Sequence, residues 1–206
     1  MDLDLNKLIK QYRLISSQIS QSNLLEVLKQ LKNALDNNLE GAVVELGCYE
    51  GTTSLFIERV LEGLDPIREF HVYDSFLGLP AKTKEDQSPI GELFKEGELK
   101  VSKTELIKQF KKAGLRVPKI HKAWFSDLTA KDMPKNIAFA FLDSDFYNSI
   151  LTSLKLTWPR LNQGGIICVD DYKREALPGV NKAIEDYFYN IQVIKQVNNL
   201  AIIVKH

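Results

Sequence analysis

One short stretch, an apolar run followed by two spaced glycines, constrains this chain of 206 residues more than any other feature. Residues 42–46 read Ala-Val-Val-Glu-Leu, and Gly47 and Gly51 follow four positions apart. A continuous apolar run predicts a buried parallel strand, and glycines permit a sharp turn and the close approach of a ligand. The stretch therefore predicts a strand, a tight turn and a helix N-terminus, whose free N–H groups favour an electron-rich ligand.

The spacing of these glycines separates the nucleotide classes. A dinucleotide fingerprint needs glycines at its first, third and sixth positions, but Tyr49 and Thr52 occupy the third and sixth positions counted from Gly47. NAD is therefore disfavoured. The pattern Glu-x-Gly-x-x-x-Gly instead resembles the first motif of class I S-adenosylmethionine (SAM) methyltransferases, in which Glu45 would face the methionine end and both glycines would admit the cofactor. Taken alone, the stretch also fits an ordinary strand-to-helix turn with two incidental glycines.

Composition limits the kinds of partner. The chain has 27 basic and 27 acidic residues and a pI near 6.8, so no global charge favours nucleic acid or an anionic membrane. Cys48 and Cys168 lie in apolar runs, which predicts small buried side chains rather than a disulfide framework. The sequence has no targeting signal and no apolar stretch of about 18 residues. We expect a cytoplasmic protein with a small-molecule partner, no nucleic acid and no membrane, and leave homo-oligomers open.

Apolar runs alternate with segments of helical periodicity along the chain. Helices at 3–15 and 23–35 form an N-terminal extension, residues 1–40, which covers a sheet edge, serves as a substrate lid or makes a dimer contact. Predicted strands cover 42–46, 69–74, 119–125, 137–142 and 166–169, with a terminal hairpin at 191–196 and 200–204; further helices include 102–115 and 147–161. This order predicts one α/β domain, a doubly wound, mostly parallel seven-stranded sheet of the Rossmann-like class I methyltransferase fold, with an antiparallel C-terminal hairpin.

Residues 81–98 form a long predicted loop. The segment is rich in Lys, Glu, Asp, Gly and Pro and has little periodicity. Loops longer than about 12–15 residues in compact domains are usually functional or mobile. We therefore regard 81–98 as a candidate lid over an active site.

Polar and aromatic residues follow the second and third predicted strands. Asp74 stands about 20 residues after the glycine turn, where folds of this kind bind ribose hydroxyls; capping of the next turn is the alternative. Trp124 and Phe125 end the third predicted strand, where an aromatic ring can pack on adenine. For either aromatic residue taken alone, core packing is the commoner role.

Acidic residues also end the fourth and fifth predicted strands. Asp143 follows one, and Asp170 and Asp171 follow the other. Because neighbouring strands lie ~4.8 Å apart, these carboxylates can reach one hard cation together, and oxygen ligands suit Mg²⁺. A divalent cation would favour deprotonation of an acceptor hydroxyl and align it for methyl transfer. The alternative for Asp170 and Asp171 is a helix or turn cap.

Several motifs between residues 41 and 190 belong to one pattern. They are Glu45-Leu46-Gly47 with Gly51, the Asp-Ser-Phe-Leu-Gly-Leu-Pro run at 74–80, Trp124-Phe125-Ser126-Asp127, the Phe-Leu-Asp-Ser-Asp-Phe-Tyr-Asn-Ser run at 141–149, Val169-Asp170-Asp171-Tyr172 and Pro178-Gly179. Together they resemble the macrocin O-methyltransferase family of metal-dependent, SAM-dependent sugar O-methyltransferases. The resemblance implies that Asp143, Asp170 and Asp171 are metal ligands, with Asp143 also a candidate catalytic base.

A set of cofactor-binding residues surrounds the glycine turn and the strand ends. We assign to it Glu45, Gly47, Tyr49, Gly51, Thr52, Ser54, Asp74, Ser75, Trp124, Phe125 and Asp143.

Some positions depart from the family pattern. Ser144 and Ala123 stand where the family commonly has glycine, and both departures leave the cofactor and metal assignments intact. Catechol-type methyltransferases typically carry a lysine where this chain has Phe146, so a lysine base at that position is excluded. The chain has less N-terminal sequence than family members, in which that sequence shapes the acceptor pocket, so the acceptor is left open.

The leading hypothesis is an enzyme that transfers a methyl group from SAM to a hydroxyl of a sugar or another small polar acceptor, with Mg²⁺. The alternative is a catalytically silent SAM- or nucleoside-binding protein of the same fold. A phosphate-binding protein of the kinase type is disfavoured, because the Gly-Lys-Ser/Thr sequence of a P-loop is absent after Gly51.

Overall fold

Helices and strands alternate in the computed structural model of the protein, which describes residues 3–189 and 194–206. The helices are α1 (Leu5–Gln11), α2 (Gln21–Asp36), α3 (Thr52–Leu64), α4 (Lys103–Ala113), α5 (Tyr147–Thr157) and α6 (Pro178–Tyr187). The strands are β1 (Ala42–Leu46), β2 (Phe70–Asp74), β3 (Lys119–Lys122), β4 (Ile137–Leu142), β5 (Leu161–Val169), β6 (Ile194–Val197) and β7 (Leu200–Val204).

The strands form one seven-stranded sheet in the order β3-β2-β1-β4-β5-β7-β6. Strands β1 to β5 pair in parallel, and β7 pairs antiparallel with both β5 and β6. The predicted doubly wound, mostly parallel sheet with its antiparallel C-terminal hairpin is confirmed. Residues 191–193 of the predicted hairpin lie outside the described residues.

The two central strands are buried along their whole length. Every residue of β1 and β4 is buried, as expected for parallel strands that are covered on both faces. One face packs against α2 and α3 through side chains such as Leu28 and Ile57, and the other packs against α5 and α6 through Ile150 and Ile184. Each such side chain contributes roughly 1.5–3 kcal/mol of transfer free energy, so the ends of these strands are firmly supported.

The N-terminal extension contains both predicted helices, but α1 is shorter than the predicted 3–15. Helix α2 begins after Ser20, whose side chain accepts a hydrogen bond from the backbone N–H of Asn23. Its N-cap is therefore Ser20, and the helix begins at Gln21, two residues before the predicted start at residue 23. None of the helices in the described ranges combines the length and apolar character that a bilayer crossing needs.

The boundary between α5 and β5 differs from the prediction. Leu161 was expected in a helix stopped by 162–165, but α5 ends at Thr157 and Leu161 begins β5. Pro159 lies in the 3-10 turn Trp158–Arg160 and cannot donate the next helical hydrogen bond. Residues 162–165 instead form an irregular part of β5, where the pairing with β4 shifts register.

Candidate active site

The carboxyl ends of β1, β2, β4 and β5 border a cleft of about 740 Å³, a volume that includes solvent at its mouth. A smaller space of about 250 Å³, lined by Glu45, lies beside it. Four residues line both spaces, so the two adjoin: Gln18, Cys48, Tyr49 and Asp143. This edge of the sheet is where a doubly wound fold binds its ligand.

The two glycines after β1 are required by the protein's own packing. Gly47 and Gly51 both have φ of +89°, a left-handed conformation that favours glycine. A Cβ atom at Gly47 would lie 1.8 Å from the carbonyl oxygen of Asp143, and one at Gly51 would lie 2.3 Å from Leu106 Cδ1. Gly47 lines the cleft, whereas Gly51 is the N-cap of α3.

Glu45 is a buried carboxyl at the smaller space. Its side chain accepts a hydrogen bond from the Ser54 hydroxyl, and Ser54 is itself fully buried. Burial raises the pKa of Glu45 to about 8, because a charged carboxylate loses its hydration there. A cationic or hydrogen-bond-donating ligand in this space would stabilise its ionised form.

Asp74 joins the turns after β1 and β2. Its Oδ2 accepts hydrogen bonds from the backbone N–H groups of Cys48 at 2.9 Å and Tyr49 at 3.4 Å, and its Oδ1 accepts one from Phe76 at 2.7 Å. Asp74 also lines the cleft. The turn-capping role weighed as an alternative is therefore present, and the exposed side of the carboxylate remains compatible with ribose binding.

One wall of the cleft is aromatic. Trp124 and Phe125 are both half-buried and line the cleft beside Ser75. The Ser75 hydroxyl accepts a hydrogen bond from the Leu77 N–H and donates one to the Gly78 carbonyl. These bonds fix the loop after β2, whose residues Ser75 and Gly78 also line the cleft.

The segment between α1 and α2 also reaches this edge of the sheet. The backbone N–H of Ser16 donates to Thr52 Oγ1 at 3.1 Å, and the two hydroxyl oxygens lie 3.0 Å apart. Gln18, two residues further on, lines both spaces. The N-terminal extension therefore contributes to the site, in addition to covering the sheet.

Acidic side chains converge on the far side of the cleft. Asp143, Asp145 and Asp171 each offer a carboxylate oxygen, and these atoms all lie within 4.8 Å of one another. We call these three residues the acid group. The predicted set contained Asp170 where this group contains Asp145. Asp170 follows β5 next to Asp143, since its N–H donates to the carbonyl of Leu142 at 2.9 Å.

The acids have unequal partners. Asn23 Nδ2 donates to Asp170 Oδ1 at 2.9 Å, and Arg174 Nη1 donates to Asp171 Oδ1 at 2.6 Å. Burial raises the pKa of both Asp143 and Asp170, and the charge of a neighbouring aspartate raises each further. One arginine beside four carboxylates leaves excess negative charge at this point.

The available donor atoms fit a hard divalent cation and a polar ligand. Carboxylate oxygens are the ligands that Mg²⁺ prefers, and within residues 3–189 and 194–206 the acid group is the one cluster of metal-ligating side chains. Ser144 lines the cleft, and its buried Oγ has no hydrogen-bond partner among the described residues. Buried hydroxyls normally have a partner, so Ser144 is suited to bind a ligand.

Several residues of the site were not predicted. Asp145 and Ser144 belong to the motif at 141–149, and their position directly after Asp143 is the sequence signal that could have predicted them. Gln18 and Asn23 carried no local signal. They reach the site because α2 packs across the sheet, a contact that links residues 147 positions apart in the case of Asn23 and Asp170.

Comparison with known proteins identifies related sequences. The model of the macrocin-O-methyltransferase (TylF) family matches residues 12–204. One relative is the 8-demethyl-8-(2,3-dimethoxy-alpha-L-rhamnosyl)-tetracenomycin-C 4'-O-methyltransferase of Streptomyces olivaceus. It is 29% identical to this chain over 163 residues, which are 76% of this chain and 61% of that protein. The mycinamicin III 3''-O-methyltransferase of Micromonospora griseorubida is 27% identical over 166 residues, 76% of this chain and 64% of that protein.

A solved structure has the same fold. The O-methyltransferase NovP superposes with a TM-score of 0.79 at 23% identity, covering 91% of this chain and 81% of that chain. The chain spans 61% to 64% of the length of the curated relatives that it matches.

Proposed function

Because this chain belongs to the macrocin O-methyltransferase family, we propose that it transfers the methyl group of SAM to a hydroxyl of a sugar or another small polar acceptor, with a divalent cation such as Mg²⁺. The observation that carries this proposal is the position of Asp143. This residue lines both the cleft and the smaller space, and it belongs to the acid group. One side chain thereby adjoins the proposed cofactor site and the proposed cation site.

The cofactor would occupy the two adjoining spaces along the glycine turn. In this proposal Asp74 accepts hydrogen bonds from the ribose hydroxyls, and Trp124 and Phe125 pack on the adenine ring. Glu45 in the smaller space binds the methionine amino group, which would stabilise its carboxylate against the effect of burial. The other proposed contacts are Gly47, Tyr49, Thr52 and Ser75 around the ligand, with Gly51 and Ser54 supporting the turn and Glu45.

The cation would be held by Asp143, Asp170 and Asp171. Asp143 and Asp171 belong to the acid group, and Asp170 is placed beside Asp143 by the paired ends of β4 and β5. Asp145 is the competing third ligand, since its oxygen already lies within 4.8 Å of those of Asp143 and Asp171. We favour Asp170 because its backbone N–H donates to the carbonyl of Leu142 and its Oδ1 accepts a hydrogen bond from Asn23, so that its position at the strand end is fixed.

When bound, SAM supplies an electrophilic methyl group and a divalent cation supplies positive charge that favours a deprotonated hydroxyl. The protein's own contribution is to orient the acceptor and to accept its proton. Asp143 is the proposed base because its carboxylate adjoins both spaces. The cleft walls hold the acceptor oxygen in line with the methyl group, which turns an encounter into a positioned step.

The acceptor would enter from the open side of the cleft. In this proposal the entrance is formed by Leu79, Pro80 and Leu99, which line the cleft and flank the polar 81–98 segment, our candidate lid. By their names, the Streptomyces olivaceus relative methylates the 4' oxygen of a rhamnosyl-bearing tetracenomycin, and the Micromonospora griseorubida relative methylates a 3'' oxygen of mycinamicin III. For this chain we propose a sugar-containing acceptor of the same chemical class.

Transfer of a labelled methyl group tests the proposal. The full chain is incubated with methyl-labelled SAM, Mg²⁺ and a panel of deoxysugar glycosides and nucleoside diphosphate sugars, and labelled products are separated. We expect one class of acceptor to take up label at a hydroxyl. Tight binding of SAM or its demethylated product S-adenosylhomocysteine (SAH), with no transfer to any acceptor, would favour the silent binding protein instead.

A further inference from the structure

The first turn of α2 lies against Asp170, at the carboxyl end of β5. Ser20 caps this 16-residue helix and accepts from the backbone N–H of Asn23 at 3.1 Å. The side chain of Asn23 then points its Nδ2 to Asp170 Oδ1, at 2.9 Å. Only 8% of Asn23 and 4% of Asp170 is exposed, so this hydrogen bond is shielded from solvent.

Asn23 is a buried polar residue on the apolar face of α2, and its hydrogen bond to Asp170 accounts for its position. An apolar residue would pack in α2 as Leu24, Val27 and Leu28 do, and a buried amide is favourable only when it is hydrogen-bonded. Here the amide fixes a carboxylate that belongs to the opposite end of the chain. Asp170 cannot rotate freely while Oδ1 accepts from Asn23, which leaves Oδ2 for other ligands.

The neighbouring acids are held by donors of different charge. Arg174 donates to Asp171 and carries a full positive charge, whereas Asn23 is neutral. A neutral donor orients Asp170 without neutralising it, so that its negative charge stays available to a cation.

We propose that Asn23 is a positioning residue, which orients Asp170 as a ligand of the divalent cation. This inference rests on the proposed metal-dependent function. It gives the N-terminal extension a role in the chemistry of the site, and it explains why a side chain from α2 is bonded to the end of β5. Hydrogen-bond partners of metal ligands typically change metal affinity by roughly 10- to 100-fold when removed.

Direct binding of Mn²⁺ tests the inference without turnover. The free Mn²⁺ signal is measured by electron paramagnetic resonance in the full chain with saturating SAH. The variants are Asn23→Leu, which keeps the approximate shape without a donor, and Asn33→Ala, which removes an exposed asparagine side chain from the same helix. We expect Asn23→Leu to weaken Mn²⁺ binding roughly 10- to 100-fold, and Asn33→Ala to bind like the wild type. SAH affinity should stay unchanged in both.

A double-mutant cycle shows whether Asn23 acts through Asp170. In the Asp170→Asn background, Asn23→Leu should cause no further loss of Mn²⁺ affinity, because the positioned ligand is already gone. Additive losses would overturn the inference, as would wild-type Mn²⁺ affinity in Asn23→Leu. Should the leucine variant fail to fold, Asn23→Ala removes the same donor in a smaller side chain. A wild-type protein that binds no Mn²⁺ would overturn this inference together with the metal proposal, whereas the other outcomes leave that proposal intact.

Discussion

A Cβ atom added to Gly47 would lie 1.8 Å from the main-chain carbonyl oxygen of Asp143. The turn after β1 and the end of β4 are therefore in backbone contact at the centre of the site. Parallel pairing of Leu46 with Leu142 brings the two chain segments to this point. Any side chain at position 47 would push the glycine turn away from the proposed base.

Replacement of Gly47 should be severely destabilising. Gly47→Ala must displace backbone atoms and place a side chain at φ of +89°, and left-handed backbone alone costs a non-glycine residue roughly 1–2 kcal/mol. We expect a loss of more than about 3 kcal/mol in the free energy of unfolding, measured by urea denaturation. Gly63→Ala in α3 is the control, because its nearest neighbour would lie at 3.6 Å. It should gain roughly 0.5–1 kcal/mol, and equal effects of the two changes would contradict this account.

The fold was predictable because its signals are local. β1 and β4 are continuous apolar runs, and acids such as Asp74 and Asp143 come directly after their strands, so the parallel sheet alone gathers them at one edge. The predicted end of α5 was wrong because the apolar spacing continues to Leu161, whereas the helix ends before Pro159. Sequence patterns capture periodicity well and single helix-breaking residues less reliably.

The missing parts of the site depend on long-range packing. Asn23 reaches Asp170, and Ser16 reaches Thr52, only after α2 has docked on the sheet. Asp145 follows Asp143 by two residues, and a continued extended strand would place it ~6.6 Å further along. Its left-handed backbone, with φ of +61°, instead turns the chain, and its carboxylate lies with those of Asp143 and Asp171.

Glu45 should make stability depend on pH. Burial raises the pKa of Glu45 in the folded protein from the ordinary value of 4.5 to about 8. Between these pH values the folded protein therefore holds a proton that the unfolded chain has released. The stabilisation is full below the lower value and is lost as the pH rises through the higher one. One such proton changes the free energy of unfolding by about 1.4 kcal/mol per pH unit.

Urea denaturation of wild type and Glu45→Gln from pH 5 to pH 8 checks this slope. Other buried acids remain in both proteins, so the informative quantity is the difference between the two curves. We expect that difference to change by about 1 kcal/mol per pH unit, with the variant less sensitive to rising pH. Parallel curves would show that Glu45 titrates in the folded protein as it does in the unfolded chain.

Asp74 should discriminate ligands by their ribose hydroxyls. A hydrogen bond to a charged group contributes roughly 1.5–3 kcal/mol, so wild-type protein should bind SAH roughly 10- to 100-fold more tightly than its 2′,3′-dideoxyribose analogue. In Asp74→Asn this gap should shrink to a few-fold. Calorimetry with both ligands separates ribose recognition from the role of Asp74 in the turns, which affects both ligands equally. The same gap in both proteins would remove Asp74 from ribose binding.

The candidate lid should divide into an anchored and an open part. Buried Asp86 accepts hydrogen bonds from the backbone N–H groups of Tyr147 at 2.7 Å and Thr83 at 2.9 Å, whereas residues 89–93 are exposed. We expect the amide hydrogens of residues 90–93 to exchange rapidly, and their exchange to slow when SAH, Mg²⁺ and acceptor are all present. Strong protection of residues 90–93 without ligands would make the segment an ordinary ordered loop.

The substitution Asp86→Ala tests whether Asp86 anchors the candidate lid to α5. Asp86→Ala should speed exchange at the amides of Thr83 and Tyr147, which lose their acceptor. The amide of Ile150, which donates to the Phe146 carbonyl at 2.9 Å within the same part of α5, should keep its protection. Equal acceleration at all three amides would indicate unfolding of the helix terminus and not the loss of one contact.

The central claim is that Asp143, Asp170 and Asp171 hold a cation on which methyl transfer depends. Removing one carboxylate leaves fewer oxygen ligands for it, whereas SAH affinity should change little because the proposed cofactor contacts lie at the glycine turn and Asp74. Asp145→Asn should affect transfer less than Asp143→Asn, in keeping with Asp170 as the third ligand. Exposed Asp127 offers the control substitution Asp127→Asn.

The most direct test is methyl transfer to a competent acceptor by wild type, Asp143→Asn and Asp127→Asn, each with Mg²⁺ and with excess chelator. We predict transfer by wild type and Asp127→Asn with Mg²⁺, a loss of at least roughly 100-fold in chelator that Mg²⁺ reverses, and a comparable loss in Asp143→Asn under both conditions. Full wild-type transfer in chelator would contradict the metal-dependent mechanism, and wild-type rates in Asp143→Asn would contradict its role as ligand and base.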